Sequence, residues 1–529
     1  MRKSCRGLGE RWGGATVLVS LMTCVGAVHG QPSQASEGLH DLAPAAVRSD
    51  FARGVRALHN FWWEEAEDRF RAVVDRAPGF TLGYWGQAMA LHRNPFGHQR
   101  PPVDSMRVLL AQLGGSPQER AARAGSAHER AYLAALEVLL QDGDAEKVHP
   151  AFVEAMADLA DTYPDDVEAQ AFHARALLLL EPVWGRAEST WPRTVAAAQA
   201  VLNRQPDHPG GLHYLIHALD RPETAARGLE AAERYGLVRT GASHAVHMPS
   251  HIYMQLGLWD QVIAGDRRAL QVSREFAEAT GRDARAFDAH AVDFLVYALL
   301  QAGRRHEAEE LILEFRGHRE AFETGALRWY DGLWSAVFAA HTGEGPGGDL
   351  PRSGYASLDE SLAQVILATR AGDEAAWTTA DSALQALAGE RDTPVWRLAA
   401  AQSRALVLAA EGLGDQAAEL LRASLAIQDE MVRPNETPSP LVPPEEQLAF
   451  TLFELGHMDA AARALDALEA RWPGRIGAVQ LRARIAVRVG DVTAAAEAYS
   501  RILRQLRNAD EGHPMVAEAR EYLSNGGGA

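Results

Sequence analysis

Residues 58–79 read LHNFWWEEAEDRFRAVVDRAPG and combine a helical apolar stripe with a helix stop. Ala66, Phe70, Val73 and Pro78 follow one another at steps of four, three and five residues. Steps of three and four place side chains on one face of a helix, and a proline cannot continue it. The segment is therefore predicted to be a helix that buries one stripe and ends before Pro78.

The same steps return in three distant parts of the chain, as expected for a repeat of about 34 residues. They are found at Phe152, Met156, Leu159 and Pro164, at Ala461, Leu465, Leu468 and Pro473, and, without the proline, at Ala495, Tyr499 and Ile502. One helical pair cannot bury its apolar face alone, whereas stacked pairs bury a continuous core. We therefore expect an array of helical hairpins.

Length and composition favour the same architecture. A chain of 529 residues exceeds what a single compact core usually holds. Hydrophobic residues make up 47% of it and aromatic residues only 7%, which is typical of alanine-rich and leucine-rich helices. A molecule that grows by adding helical units accounts for both observations, and the expected fold class is all-α.

The recurring segments resemble tetratricopeptide repeats, in which a small and then a large apolar residue precede a closing proline on the second helix. The chain is similar to exported bacterial-type proteins of this superfamily with a His-rich central segment. The resemblance implies a right-handed solenoid of antiparallel helix pairs, whose first helices line a concave groove. Gly and Pro crowd together within residues 341–354. We therefore expect an N-terminal array over 46–345, a linker over 346–354 and a C-terminal array over 355–529.

The N-terminus has the form of a secretory signal. A basic start precedes an apolar run from about Ala15 to Val28, which is shorter than the ~20 residues of a membrane-spanning helix. We expect a signal peptide over 1–30, a flexible leader over 31–45 and a periplasmic or secreted protein. A membrane anchor and lipidation at Cys24 are the alternatives.

Charge and cysteine content exclude several kinds of site. Both cysteines, Cys5 and Cys24, lie in the predicted signal, so the mature chain offers no disulfide, thiolate ligand or cysteine nucleophile. The formal net charge of −18 disfavours phosphate backbones and anionic lipid surfaces. We expect no nucleic-acid partner and, after removal of the signal, no membrane partner.

Histidines and aspartates gather at helical spacing between residues 207 and 293. Three repeat registers, set from Pro206, Gly257 and Gly303, each direct these side chains towards the groove that the resemblance implies. The candidate metal residues are His213, His217, Asp220, His244, His247, His251, His290 and Asp293.

Neutral imidazoles and carboxylates on adjacent helices suit a transition metal, so we expect Cu, Fe or Zn. Six His and two Asp exceed the needs of one ion. Either two ions are held, or some members, with Asp220 and Asp293 as natural partners of ring N–H groups, orient the ligands. An open coordination position would make the protein a metal-dependent enzyme. The alternative is a scaffold that binds a protein or peptide in the groove without catalysis.

Other conspicuous residues are predicted to be structural. Phe61, Trp62 and Trp63 are expected to pack between the first hairpins. His59 and His173 lie on separate helices without a second ligand nearby in sequence, so they are placed outside the site.

Overall fold

The computed structural model describes residues 38–93, 101–180, 191–238, 240–318, 326–348, 350, 358–431 and 441–525. Every regular element within these ranges is an α-helix or a 3-10 helix, which confirms the all-α prediction. The predicted signal peptide and Cys24 lie outside the described residues. Within the described ranges, no helix has both the length and the apolar character that a membrane crossing requires.

The α-helices are numbered in chain order with these bounds: α1 Arg48–His59, α2 Trp63–Arg76, α3 Thr81–His92, α4 Val103–Leu110, α5 Pro117–Arg123, α6 Ala127–Leu139, α7 Ala145–Thr162, α8 Val167–Leu177, α9 Trp191–Arg204, α10 Pro209–Leu219, α11 Ala225–Tyr235, α12 Ser243–His247, α13 Pro249–Gln255, α14 Trp259–Thr280, α15 Ala289–Gln301, α16 Arg305–Gly317, α17 Ala326–Thr342, α18 Leu358–Ala371, α19 Glu374–Arg391, α20 Pro394–Ala410, α21 Gly414–Asp429, α22 Pro444–Glu454, α23 Met458–Arg471, α24 Ile476–Val489, α25 Val492–Gln505 and α26 Pro514–Ser524. Most helices that are neighbours in this order pack on one another.

The repeated apolar stripe is buried, as predicted. Ala66, Phe70 and Val73 on α2 are fully inaccessible to solvent. Gly86 allows α3 to lie close to α2, because a Cβ at this position would lie 2.2 Å from the Phe70 ring. The corresponding residues of the other three segments are buried in the same way. Each stripe therefore joins one helical hairpin to the next.

The predicted leader and the predicted linker both lie next to packed parts of the molecule. Leu39, within the predicted leader, is fully buried and belongs to a 3-10 helix over Leu39–Leu42. In the predicted linker, Pro346–Gly348 form a short 3-10 turn. Trp334 before this turn and Leu362 after it belong to the same hydrophobic cluster. The core thus continues from one predicted array into the other.

The array curls back on itself, so helices distant in sequence meet. The Trp259 indole N–H donates to the carbonyl of Gly474 at 2.9 Å, and the amide of Asp510 donates to the carbonyl of Gly303 at 3.0 Å. At the other end, the Tyr235 hydroxyl donates to the side chain of Asn60 at 2.9 Å. The contact between Tyr235 and Asn60 brings the turn between α1 and α2 onto the helices that carry the histidines.

Candidate metal centre

Helix α10 carries the first pair of histidines. It begins at Pro209, where a missing N–H costs no helix bond, as the sequence register predicts. His213 and His217 are one turn apart, so their rings leave the helix on the same side. Both are buried, with exposed fractions of 0% and 4%.

A third histidine from the next hairpin completes the first triad. The Nε2 atom of His213 lies 3.1 Å from the Nε2 atoms of both His217 and His244. His244 is on α12 and only half-buried, whereas its two partners on α10 are buried. The first triad therefore joins two repeats.

The second triad repeats this construction one hairpin later. The Nε2 atom of His251 lies 3.0 Å from that of His247 and 3.4 Å from that of His290. His247 ends α12 and His251 lies on α13, while His290 comes from α15. Pro249 begins α13, and this helix break falls between the two ligands of the pair.

These separations match the ligand spacing of a small metal ion. In a tetrahedral site with metal–nitrogen bonds of ~2.0–2.1 Å, neighbouring nitrogens stand about 3.3 Å apart. In both triads the three nitrogens lie within 4.8 Å of one another. The two triads are also neighbours, because the His217 and His251 ring centroids are 5.8 Å apart. Six of the eight predicted residues thus form two adjacent sets of three.

Partners on the opposite ring nitrogen favour one tautomer in three of the rings. Nδ1 of His213 lies 2.6 Å from the carbonyl of His59, an acceptor only. Nδ1 of His251 lies 2.7 Å from Asp220, and Nδ1 of His247 lies 2.7 Å from Asp266. When these ring N–H groups donate to oxygen, the Nε2 atoms are left as lone pairs that face one another. This is the arrangement in which histidine binds metals.

Burial keeps the rings neutral. It lowers the pKa of His213 to about 3, and the pKa values of His217, His244 and His247 fall well below the ordinary value for the same reason. Neighbouring imidazoles lower them further, because two positive rings would repel. A neutral ring is the form that can ligate a metal.

Asp220 and Asp266 contact rings of the second triad, and neither supplies one of the converging ligand atoms. Asp220 has the orienting role that the sequence suggested. Asp293 is buried on α15 but belongs to neither group of converging ligand atoms. Asp266 on α14 was missed, although it takes a core position in the apolar stripe of Val262 and Ala269. Burial raises the pKa of Asp266 well above its usual range, so a nearby positive charge would favour its ionised form.

A third cluster of similar composition has a different tautomer pattern. His59, Glu168 and His208 converge beside α10, and Glu168 lies 2.6 Å from Nε2 of His59. Nδ1 of His208 accepts the amide N–H of Gly211, so its proton must reside on Nε2, where it faces Glu168. That ring offers no lone pair to a metal. We therefore interpret this cluster as a hydrogen-bonded anchor, in line with the structural role predicted for His59.

The turn between α1 and α2 covers the first triad, which the sequence did not predict. Phe61 has a left-handed backbone, with φ of 53°, that is rare for a bulky residue. Its ring lies 4.4 Å from that of His213 and stacks on His244 at 5.3 Å. Trp63 stacks on Phe61 at 4.9 Å, and the buried guanidinium of Arg175 lies over both rings. The aromatic turn therefore shields the histidines and does more than pack the first hairpins.

A small pocket reaches the first triad from solvent. It has a volume of about 240 Å³ and is lined by His244, Phe61, Trp62, Phe276 and Arg282, among others. The carboxylate of Glu64 lies 3.7 Å from Arg282 at its rim. Small molecules can therefore approach His244, whereas His213, His217, His247 and His251 are buried and out of reach of an extended peptide.

Comparison with known proteins adds little beyond the fold. No family model matches the sequence, and no curated protein matches it. Among solved structures, the chain is similar to one described as the crystal structure of the APC/C hetero-tetramer Cut9-Hcn1. The TM-score is 0.28 at 12% identity over 78% of this chain and 86% of that one. It is also similar to the structure of Naa15/Naa10 bound to HypK-THB, with a TM-score of 0.21 at 12% identity over 91% and 73% of the two chains. By its own stacked helices, the chain is an all-α helical-repeat protein.

Proposed function

We propose that the two histidine triads bind a pair of transition-metal ions, one ion in each triad. The observation that carries this proposal is the approach of the Nε2 atoms of His247 and His251 to 3.0 Å, while the Nδ1 atom of each ring contacts an aspartate. Two lone pairs at that distance repel unless a cation lies between them. His213 repeats the pattern in the first triad, where a backbone carbonyl holds its Nδ1.

The donor set selects among metals. Three neutral imidazoles suit Zn, Cu, Fe and Ni, whereas Mg and Ca require oxygen ligands. At equal supply, divalent ions bind nitrogen sites in an order that peaks at copper. We therefore expect copper to bind most tightly, with zinc and iron as weaker occupants.

A centre of this kind has room for chemistry. Three protein ligands leave a coordination position open, which is the feature of catalytic metal sites. The neighbouring triads would let one small oxygen ligand, water or dioxygen, contact both ions, and the pocket beside His244 gives it access. We propose a metal-dependent enzyme that acts on small molecules, in a protein exported by the signal over residues 1–30.

Metal stoichiometry tests the proposal directly. Protein made without a polyhistidine tag would be loaded with Cu, Zn and Fe in turn, dialysed and assayed by elemental analysis. We expect two ions per chain in the wild type, one in His217→Ala or His251→Ala, and none in the double variant. His173→Ala removes a partly buried histidine outside both triads and should leave two ions.

Paramagnetic resonance separates a coupled pair from two independent sites. With two adjacent Cu(II) ions that share a ligand, the wild type should give a much weaker copper signal than its copper content predicts. The single variants should restore the signal of an isolated ion. A wild type that retains no stoichiometric metal would refute the proposal and leave the scaffold interpretation in place.

A further inference from the structure

A second cavity lies between the middle of the chain and the C-terminal helices that fold back on it. Its volume is about 590 Å³, within the ~300–1,000 Å³ typical of small-molecule sites. Helices α15, α17 and α18 form one side, and α22, α24 and α26 form the other. The cavity exists because the array closes here: the Gln505 amide donates to the carbonyl of Gln301 at 3.0 Å.

The walls of this cavity are largely apolar. Aliphatic side chains from both sides face it, and several of them are almost fully shielded from bulk solvent. They include Leu300, Leu362, Ile366, Val442, Ile476 and Met515. A ligand with an apolar body would displace water from these surfaces, which is favourable at roughly 25 cal/mol per Å² of apolar area.

Most polar groups that line the cavity are already paired. Arg475 is buried against Glu446, and Arg305 forms an ion pair with Glu344. Their hydrogen-bonding capacity is therefore largely used within the protein and does not select a ligand.

Arg370 differs from these groups. Its guanidinium contacts the carbonyl of Ala339 at 3.5 Å and has no carboxylate partner among the described residues. The Arg370 side chain is exposed at the cavity, although partial burial by the surrounding helices lowers its pKa. A guanidinium in this position gains most from an anion that arrives with the ligand.

We propose that this cavity binds a small amphipathic carboxylate, with its carboxylate on Arg370 and its apolar body against the aliphatic walls. Arginine and carboxylate form two parallel, charge-assisted hydrogen bonds, which are stronger than hydrogen bonds between neutral groups. The acidic side chains of Asp510 and Glu511 also line the cavity, so a doubly charged phosphate would be repelled. The site is independent of the histidine triads and of any metal.

Calorimetric titration of the metal-free full-length chain tests this inference with three probes of equal length: octanoate, 1-octanol and octylamine. We expect octanoate to bind once per chain and at least about tenfold more tightly than 1-octanol, with octylamine weakest. Arg370→Gln should abolish the preference for octanoate, and Arg370→Lys should retain part of it. Arg305→Gln, which removes a paired cation from the same cavity, should have no effect.

A cavity-filling variant shows whether the probe is inside. Ile366→Trp should prevent binding of all three probes; if circular dichroism shows that it does not fold, Met515→Trp at the rim replaces it. Equal affinity for octanoate and 1-octanol, unchanged binding in Arg370→Gln, or no binding of octanoate would each overturn the inference. Metal content is measured separately, so neither result depends on the other.

Discussion

At the scale of single residues, the candidate metal centre depends on which nitrogen of each ring carries a proton. His247 and His251 donate to buried aspartates, and His213 donates to a backbone carbonyl. The partner on Nδ1 therefore decides whether Nε2 can bind a metal. His208, whose Nδ1 accepts an amide proton, shows the opposite outcome among residues of similar burial.

Asp266→Asn should weaken metal binding in the second triad without removing a ligand. The amide is uncharged, so it supports the His247 ring less well, and losses of such orienting partners typically cost about 10–100-fold in affinity. Competition with a chromogenic chelator would measure the change. Asp260→Asn, an exposed carboxylate on the same helix, is the matched control and should bind as the wild type does. Equal affinities for both variants would contradict the orienting role.

Acid should destabilise the metal-free protein. Burial lowers the pKa of His213 to about 3 and that of His341 to about 4, whereas both titrate near 6.5 when unfolded. Below pH 6.5 the unfolded chain binds more protons, so the free energy of unfolding decreases as the pH falls towards about 4. Asp266 and Asp359, whose pKa values burial raises, act in the opposite sense but are fewer than the buried histidines.

Urea midpoints at pH 7.5, 6 and 5 would measure this dependence. His341→Gln should reduce the slope, because one buried ring no longer has to become charged on unfolding. His457→Gln, at an exposed position, should leave the slope unchanged. A midpoint that rises on acidification would show that the carboxyl groups dominate.

At the scale of helices, the sequence predicts which helix faces carry the histidines, although its repeats are degenerate. The periodicity of His213, His217, His247 and His251 fixes one face of each helix, and the turns at Gly257 and Gly303 fix the register between helices. Six imidazoles could therefore be brought together from their spacing and from the groove that the resemblance to tetratricopeptide repeats implies. Asp266 and Phe61 could not, because they reach the site through contacts between repeats that no local pattern encodes.

Packing between helices gives a prediction of its own. Gly86→Ala should lower the free energy of unfolding by about 1–3 kcal/mol, because a Cβ there overlaps the Phe70 ring and the well-packed hairpin has little room to move. Gly389→Ala on α19 meets open space and should stabilise the chain by up to about 1 kcal/mol through reduced backbone freedom. Urea denaturation compares the two. Similar effects of both substitutions would contradict the predicted close approach at Gly86.

At the scale of the whole molecule, the return of the C-terminal helices creates the second cavity. A buried arginine holds this return, since Arg475 contacts Glu446 and the Tyr297 hydroxyl. An exposed ion pair between Arg507 and Asp260 joins the same regions. Arg475 and Arg507 therefore allow a buried contact between these regions to be compared with an exposed one.

Arg475→Met should lower the free energy of unfolding by about 3–5 kcal/mol, because it leaves Glu446 buried without its partner. Arg507→Met should cost less than about 1 kcal/mol, as exposed ion pairs usually do. Solution scattering of Arg475→Met should also show a larger radius of gyration if the return opens before the chain unfolds. Equal costs for the two variants would mean that Arg475 does not hold the return.

The turn that carries Phe61 belongs to a hairpin more than a hundred residues before the histidines it covers. If the first triad holds a metal ion, a chelator too large for the pocket beside His244 can reach that ion only when this hairpin lifts. The rate of metal loss to a chelator should then be independent of chelator concentration, because protein motion and not encounter limits it. Phe61→Ala would turn the same loss into a faster process that accelerates with added chelator. The metal would be retained kinetically, by a part of the chain that contributes no ligand to it.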